Sequence, residues 1–237
     1  MADTPFWIAF GDTHDDISLI ARIPGLEKAL GVIVSGDITF CGGELQAARV
    51  LGAIAERNPV IYAQIGNMDL DEVISWLDEK GYNLHARARE LFPEVFAVGV
   101  GYSTFTPFGT PSEASETSIT EWMEQGLAAA GRLSGKNYTQ EGGKGLVLIS
   151  HTPPKGTACD KLKSGVSVGS IAVRNFIEKY QPDICLCGHI HESRAVDRLG
   201  RTVIVNPGDL ASGGFVIIRQ EFIEGAFMAT AELMILS

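Results

Sequence analysis

The sequence lacks any uninterrupted apolar run of about 18 residues, the length that a helix needs to span a membrane. Its first residues also lack a basic stretch followed by an apolar one, so we expect no secretory signal. Cysteine is scarce, and four cysteines in a chain of 237 residues fit no disulfide framework. These absences favour a protein without a membrane span, in a reducing cytoplasmic compartment.

Basic residues are also in short supply. The chain has 19 lysines and arginines against 29 aspartates and glutamates, which gives a formal net charge of -10. Binding to nucleic acid needs basic patches, so this balance argues against a nucleic-acid partner. A small phosphate ester remains compatible with it, because bound cations can reverse the local electric field. The composition leaves a homo-oligomer open.

Apolar runs alternate with helical patterns along the chain. The expected strands cover residues 6–10, 32–34, 60–65, 96–100, 146–150 and 183–187, a hairpin over 194–205, and then 214–219 and 228–236. The expected helices cover 15–31, 44–57, 70–80, 118–130 and 170–180. Asp15 or Asp16 is the expected cap of the first helix, and Ser118 with Glu121 fits a capping box.

This alternation predicts an α/β fold with a mostly parallel sheet and right-handed crossovers. A long loop rich in threonine, proline and glycine is expected over residues 102–111. No repeat or linker divides the sequence, so we expect a single domain over residues 1–237.

Five of the apolar runs end at polar side chains that can bind a metal ion. Ligands of open α/β sheets bind at the carboxyl ends of the strands, which is where all five clusters lie. These side chains are Asp12 and His14, then Asp37, Asn67 and His151, and finally His189 and His191. Four of the five histidines of the chain belong to these clusters, which scattered core or surface histidines would not produce.

The chemistry of these ligands indicates the kind of metal site. Oxygen and imidazole donors without a nearby cysteine disfavour a structural zinc site and suit catalytic manganese, iron, zinc or nickel. Seven ligands are too many for one tetrahedral ion. They suit two divalent ions, about 3.5–4 Å apart, that share a carboxylate.

The motifs together resemble the calcineurin-like metallophosphoesterase family. They are Asp12-X-His14, Gly36-Asp37, Gly66-Asn67-X-Asp69, the isolated His151, and Gly188-His189-X-His191. The resemblance implies an α/β sandwich of two sheets flanked by helices, in which a metal-activated water attacks a phosphate ester in line. It implies that Asp37 bridges two ions, one held by Asp12, His14 and His191 and the other by Asn67, His151 and His189. It also implies catalytic roles for Asp37, Asn67 and His151.

One position departs from the family pattern. Met68 occupies the place where the family usually has a histidine that protonates the leaving oxygen or steadies the phosphate, and a thioether cannot donate a proton. We therefore expect a phosphodiesterase acting on a small phosphate ester. Two alternatives stay open, a metal-binding interaction protein with little turnover and a phosphomonoesterase. Met68 and His85 are the predicted substrate contacts, the latter because Asn83-Leu84-His85 is similar to a stretch in some small members of the family.

Overall fold

The computed structural model describes residues 4–138 and 143–236, and most of its strands belong to two sheets. The strands of the first sheet, in spatial order, are β13 (Ala226–Ile235), β12 (Gly214–Ile223), β1 (Phe6–Phe10), β2 (Val32–Val34) and β3 (Ile61–Ala63). Strands β1, β2 and β3 run parallel, whereas β12 pairs antiparallel with both of its neighbours. The carboxyl ends of the three parallel strands therefore lie at the same edge of the sheet.

The second sheet has a parallel centre and two antiparallel edge strands. Its strands, in spatial order, are β10 (Ala195–Leu199), β11 (Thr202–Asn206), β9 (Ile184–Leu186), β8 (Leu146–Ser150), β5 (Val95–Val100) and β4 (Ala88–Phe92). The four central strands are parallel, and the two edge strands are antiparallel to their neighbours. Two short strands, β6 (Ser103–Thr104) and β7 (Glu113–Ala114), pair separately at the two ends of a loop.

Three apolar clusters hold these layers together. The helices that cover the outer faces are α1 (Glu44–Ala55), α2 (Glu72–Glu79), α3 (Glu116–Ser134) and α4 (Ile171–Tyr180). Helices α1 and α2 share a cluster with the first sheet, and α3 and α4 share one with the second. In the third cluster, Trp7 and Ile33 of the first sheet pack with Val147 and Ile149 of the second. The expected sandwich of two sheets flanked by helices is confirmed.

The helix predicted over residues 15–31 is wrong. The structure has two short 3₁₀ turns there, Ile20–Arg22 and Leu26–Lys28. The ring of Pro24 disfavours the α conformation of the preceding residue, and Ile23 is accordingly extended, with φ −66° and ψ 116°. The apolar spacing of this segment resembles that of a helix, but the proline prevents one from forming.

Two further details differ from the expectations. The capping box predicted at Ser118 is misplaced, because α3 begins at Glu116 and the hydroxyl group of Ser115 accepts the N–H group of Ser118. Strand β4 was not expected from the sequence. It lies at the edge of its sheet, where Arg89 and Glu90 are partly solvated, so it lacks the continuous apolar run of a central strand.

Candidate metal centre

All seven predicted ligands lie at the end of the sandwich where the parallel strands of both sheets finish. Their donor atoms form two groups, and within each group the atoms lie within 4.8 Å of one another. The first group is Asp12, His14, Asp37 and His191, and the second is Asp37, His151 and His189. Asn67 adjoins the second group, because its Oδ1 atom lies 3.1 Å from Nε2 of His151.

The spacing within the first group fits a metal ion. Nε2 of His191 lies 3.0 Å from Oδ1 of Asp12 and 3.1 Å from Nε2 of His14. Two ligand atoms at right angles around an ion, with bonds of about 2.1 Å, lie about 3.0 Å apart. Four imidazole and carboxylate donors that converge at this spacing can therefore surround one divalent cation.

Asp37 contacts both groups through different oxygen atoms. Its Oδ2 atom lies 3.7 Å from Nε2 of His14, and its Oδ1 atom lies 3.4 Å from Nε2 of His151. The side chain is buried, and Oδ1 also accepts the backbone N–H group of Met68 at 2.8 Å. One carboxylate thus presents one oxygen to each group, which is one arrangement by which a carboxylate can bridge two ions.

The motif glycines are required because ligand side chains lie directly against them. A Cβ atom at Gly66 would lie 2.1 Å from Oδ1 of Asp37, and one at Gly188 would lie 2.3 Å from Oδ2 of Asp12. Real Cβ atoms do not come this close to other atoms, so any side chain at either position would displace a carboxylate. Gly66 and Gly188 therefore each make room for a predicted ligand from another strand end.

Comparison with known proteins identifies the family. The sequence model described as metallophosphoesterase, calcineurin superfamily, matches residues 136–224. The uncharacterized protein MJ1162 from Methanocaldococcus jannaschii is 34% identical over 180 residues, which cover 74% of this chain and 76% of that protein. The chain belongs to the calcineurin-like metallophosphoesterase family. Membership supports metal-dependent hydrolysis of phosphate esters and implies divalent metal ions, which the two donor groups fit.

Solved structures show the same fold at low sequence identity. TT1561 of Thermus thermophilus is 15% identical with a TM-score of 0.68, and the match covers 99% of this chain and 100% of that chain. A dimetal phosphatase from Danio rerio is 12% identical with a TM-score of 0.56, and the match covers 99% of both chains. At these identities the likeness is one of fold.

Burial and neighbouring charges shift the pKa values of this metallophosphoesterase's predicted ligands in opposite directions. Burial would raise the pKa of Asp37, but the rings of His151 and His14 outweigh it and lower this pKa to about 2. Burial opposes protonation of His151, yet the Asp37 carboxylate raises its pKa to about 9. Burial and the nearby charge of His151 lower the pKa of His189 to about 4. Because a ligand must lose its proton to bind metal, metal binding at this centre is coupled to proton release.

Asp69 joins the loops that carry two of the predicted ligands. Its buried carboxylate accepts the N–H groups of Thr39 at 2.7 Å and Gly66 at 2.8 Å, together with the hydroxyl group of Thr39 at 2.8 Å. Burial and the nearby Asp37 charge raise the pKa of Asp69 to about 7, although these hydrogen bonds oppose the rise. The acidic residue of the third motif therefore holds the loop after β2 against the loop after β3.

A contact absent from the sequence interpretation orients Asn67. The Nδ2 atom of Asn67 donates to Oγ1 of Thr110 at 3.0 Å. That hydroxyl group donates to Oε1 of Glu113 at 2.7 Å, which also accepts the N–H group of Thr110 at 2.8 Å. With Nδ2 held by Thr110, the Oδ1 atom of Asn67 faces His151. The signal for this contact was weak, since Thr110 lies in a loop that showed no periodic pattern.

A cavity of about 1010 Å³ opens over the metal centre. Met68 and Asp209 belong to its wall, together with residues from the loop between β6 and β7. The predicted position of Met68 next to a substrate is compatible with this placement. Asp209 is not among the residues that the sequence predicts for the site; it directly follows the Asn206-Pro207-Gly208 segment at the end of β11.

His85 is not among the described residues that line this cavity, and its contact with substrate stays a prediction. Its ring is buried against Trp122 and Tyr102, with ring centroids 4.6 and 5.3 Å away. Nδ1 of His85 accepts the N–H group of Gly101 at 3.0 Å. These contacts give His85 a packing role between the loop after β5 and α3.

No helix in residues 4–138 or 143–236 is long and apolar enough to cross a membrane.

Proposed function

We propose that this metallophosphoesterase is a phosphodiesterase that works with two divalent ions. The ligands of the first ion are Asp12, His14, Asp37 and His191, and those of the second are Asp37, Asn67, His151 and His189. Manganese, iron, zinc and nickel are the candidate metals. When bound, such a pair generates a nucleophile from water at neutral pH and neutralises charge on the phosphoryl group.

The protein's own residues fix the positions at which this chemistry takes place. Asp37 is buried and presents one oxygen to each group of ligands, so its single charge can serve both ions. Asn67 contributes a neutral amide oxygen, which the hydrogen bond to Thr110 keeps pointed at the second group. Buried ligands with little freedom to move keep the reacting atoms aligned, which lowers the entropic part of the barrier.

The observation that carries the preference for diesters is the charge of the cavity wall. No lysine or arginine is among the described residues that line it, and its charged residues away from the metal ligands are Asp16, Glu192 and Asp209. A phosphomonoester carries up to two negative charges near neutral pH, whereas a diester carries one. Because only the metal ions would offset the negative charge of the substrate, the acidic wall repels a singly charged diester less than a doubly charged monoester.

Met68 supports the same preference. It lies at the wall of the cavity, and its thioether has no proton to donate to a leaving oxygen. Such a site favours esters whose leaving group departs without protonation.

The test compares hydrolysis of bis-p-nitrophenyl phosphate and p-nitrophenyl phosphate by protein loaded with manganese, iron, nickel or zinc in turn. We expect kcat/KM to be at least about tenfold higher for the diester with the best metal, which corresponds to about 1.4 kcal/mol. His189→Ala is the matched negative control, since it should lose metal and activity together. A faster monoester would contradict the diesterase assignment. Failure of the metal-loaded protein to hydrolyse either ester would favour a metal-binding interaction protein.

A further inference from the structure

The cavity over the metal centre has an apolar mouth that metal chemistry does not require. Phe40, Phe105 and Phe108 line it and are 65%, 73% and 85% exposed. Leu162 and Val168 line it from a third segment of the chain. Large apolar side chains that surround one opening from several loops are typical of a binding surface, because scattered apolar residues do not converge in this way.

The size of the cavity exceeds what a small phosphate ester needs. Pockets that enclose drug-sized ligands have volumes of about 300–1000 Å³, and the volume here, about 1010 Å³, is at the upper end of that range. A methyl or ethyl ester bound at the metal centre would leave most of this space, and the aromatic side chains at its mouth, without contact. The volume therefore favours a substrate with at least one large group on the phosphate.

The electrostatics indicate that this large group carries no further negative charge. Asp16, Glu192 and Asp209 line the cavity in addition to the metal ligands, and they would repel a second phosphate or a carboxylate. Lys163 does not line the cavity, and its Nζ atom lies 4.0 Å from a carboxylate oxygen of Glu192. A nucleoside polyphosphate would thus find no protein cation among the described residues of the wall.

Two polar side chains of the wall are already engaged. The hydroxyl groups of Thr106 and Thr110 both donate to Oε1 of Glu113, at 2.6 and 2.7 Å. Thr110 Oγ1 also accepts from Asn67 at 3.0 Å. These hydroxyl groups stabilise the loop, so they are not free to donate to a sugar or another polyol.

From these observations we propose that the substrate is a phosphodiester of a large apolar alcohol, whose alkyl or aryl group binds between Phe40, Phe105 and Phe108. The proposal rests on the proposed phosphodiesterase activity and names its substrate class. Hydrolysis adds water to phosphorus and breaks the P–O bond to the second ester group, which leaves, while the apolar alcohol stays on phosphorus as its phosphomonoester.

The test is a series of alkyl p-nitrophenyl phosphodiesters from methyl to dodecyl, in which p-nitrophenolate leaves in every case. The chemistry is constant, so only binding of the alkyl group varies. We expect kcat/KM to rise about two- to fourfold for each methylene group that becomes buried, until the cavity is filled. Hydrolysis of ATP at a rate above that of the octyl ester would overturn the proposal. Presenting the dodecyl ester as dissolved monomer and in phosphatidylcholine vesicles distinguishes a soluble substrate from a lipid, and cleavage in neither form would also overturn it.

Exposed aromatic side chains allow a matched comparison of variants. Phe108→Ala should lower kcat/KM more for the octyl ester than for the methyl ester, so that the ratio of the two values falls about five- to twentyfold; the ratio isolates the alkyl group, because both esters carry the same p-nitrophenyl group. Phe222→Ala removes a ring that is 66% exposed on the β12–β13 hairpin and should leave both values unchanged. Equal losses of Phe108→Ala on both esters would contradict a role in binding the alkyl group.

A binding experiment distinguishes failure of this proposal from failure of the proposed function. Octylphosphonate and methylphosphonate cannot be hydrolysed, and their affinities for manganese-loaded protein are measurable by calorimetry. Hydrolysis of the methyl ester without any effect of chain length would overturn the apolar substrate and leave the phosphodiesterase intact. Tighter binding of octylphosphonate without hydrolysis of any ester would support the apolar site and overturn the phosphodiesterase. Equal affinity for both phosphonates would overturn the apolar site.

Discussion

Thr110 offers a sharp test of how the metal centre is built, because it contacts a proposed ligand without itself being one. Its Oγ1 atom accepts a hydrogen bond from Nδ2 of Asn67 at 3.0 Å and donates one to Glu113 at 2.7 Å. An amide can bind metal through its oxygen atom but not through its NH₂ group. The Thr110 hydroxyl group therefore selects the orientation in which Asn67 Oδ1 faces His151.

Thr110→Val keeps the shape of the side chain and removes only the hydroxyl group. Loss of a hydrogen-bond partner that orients a metal ligand typically lowers metal affinity about 10–100-fold, which corresponds to about 1.4–2.7 kcal/mol. Asn67 is 4% exposed, so its unpaired N–H group should also cost about 1–3 kcal/mol in the free energy of unfolding. Thr110→Ser restores the hydroxyl group and should recover most of both losses.

A manganese titration monitored by calorimetry measures the affinity for each of the two ions separately. We expect Thr110→Val to weaken one of two binding steps about 10–100-fold and to leave the other within about threefold of the wild-type value. Urea denaturation of the same proteins measures the stability cost separately. If Thr110→Val bound both ions as tightly as wild type, the orienting role of Thr110 would be refuted, and so would the placement of Asn67 among the ligands.

Three other predictions concern Asp37, Met68 and His85. Asp37→Asn should lower the affinity for both ions, because it removes the shared charge, whereas His14→Ala should lower mainly the affinity for one. If elemental analysis showed that both variants lose the same single ion, Asp37 would not be a bridging ligand. Met68→His should flatten the dependence of rate on leaving-group pKa across aryl and alkyl esters, and parallel slopes would show that Met68 does not replace an acid. Burial and the charge of Arg87 lower the pKa of His85 to about 4. In the unfolded protein His85 therefore takes up a proton below about pH 6.5, whereas in the folded protein it does so only near pH 4. Stability should therefore fall by up to about 3 kcal/mol from pH 6.5 to pH 4, and urea denaturation of His85→Gln should show a shallower fall; an unchanged slope would exclude His85 as the cause.

The parts of the fold that follow from sequence are those where one local pattern determines one structure. The sequence predicts strand β8 at its observed bounds, Leu146–Ser150, because four consecutive apolar residues and a serine precede a histidine and two prolines. The helix predicted before β2 is wrong because the apolar spacing there favours a helix, whereas the ring of Pro24 prevents one. Strand β4 is stabilised by pairing with β5 rather than by an apolar pattern of its own, so its sequence does not predict a strand.

The residues of the candidate site likewise fall into those that the sequence predicts and those that it does not. Its proposed ligands could be named because each lies in the loop just after a strand, and the carboxyl ends of parallel strands meet at one edge. Thr110 and Phe108 could not, because their loop is placed by contacts with distant segments. The N–H group of Ser112 donates to the carbonyl oxygen of Asn67 at 2.9 Å, and Ser112 Oγ donates to that of Asp69 at 2.6 Å. Such contacts depend on the tertiary structure and leave no periodic trace in the sequence.

Backbone conformation links the ligands to the rest of the fold. Asp12, His14, Asp37 and His189 have positive φ angles of 51°, 44°, 49° and 66°. Each such conformation costs a residue with a side chain about 1–3 kcal/mol, so it persists only where the surroundings impose it.

Those surroundings are hydrogen bonds between the ligand loops themselves. The N–H group of Asp12 donates to the carbonyl oxygen of Gly36, that of His14 donates to the carbonyl oxygen of Asp37, and that of His189 donates to Oδ1 of Asp12. Hydrogen bonds from neighbouring loops thus hold these residues at their positive φ angles. Because the chain's own hydrogen bonds fix the directions of the ligands, little of the free energy of ion binding is needed to order the backbone, and more of it remains for affinity.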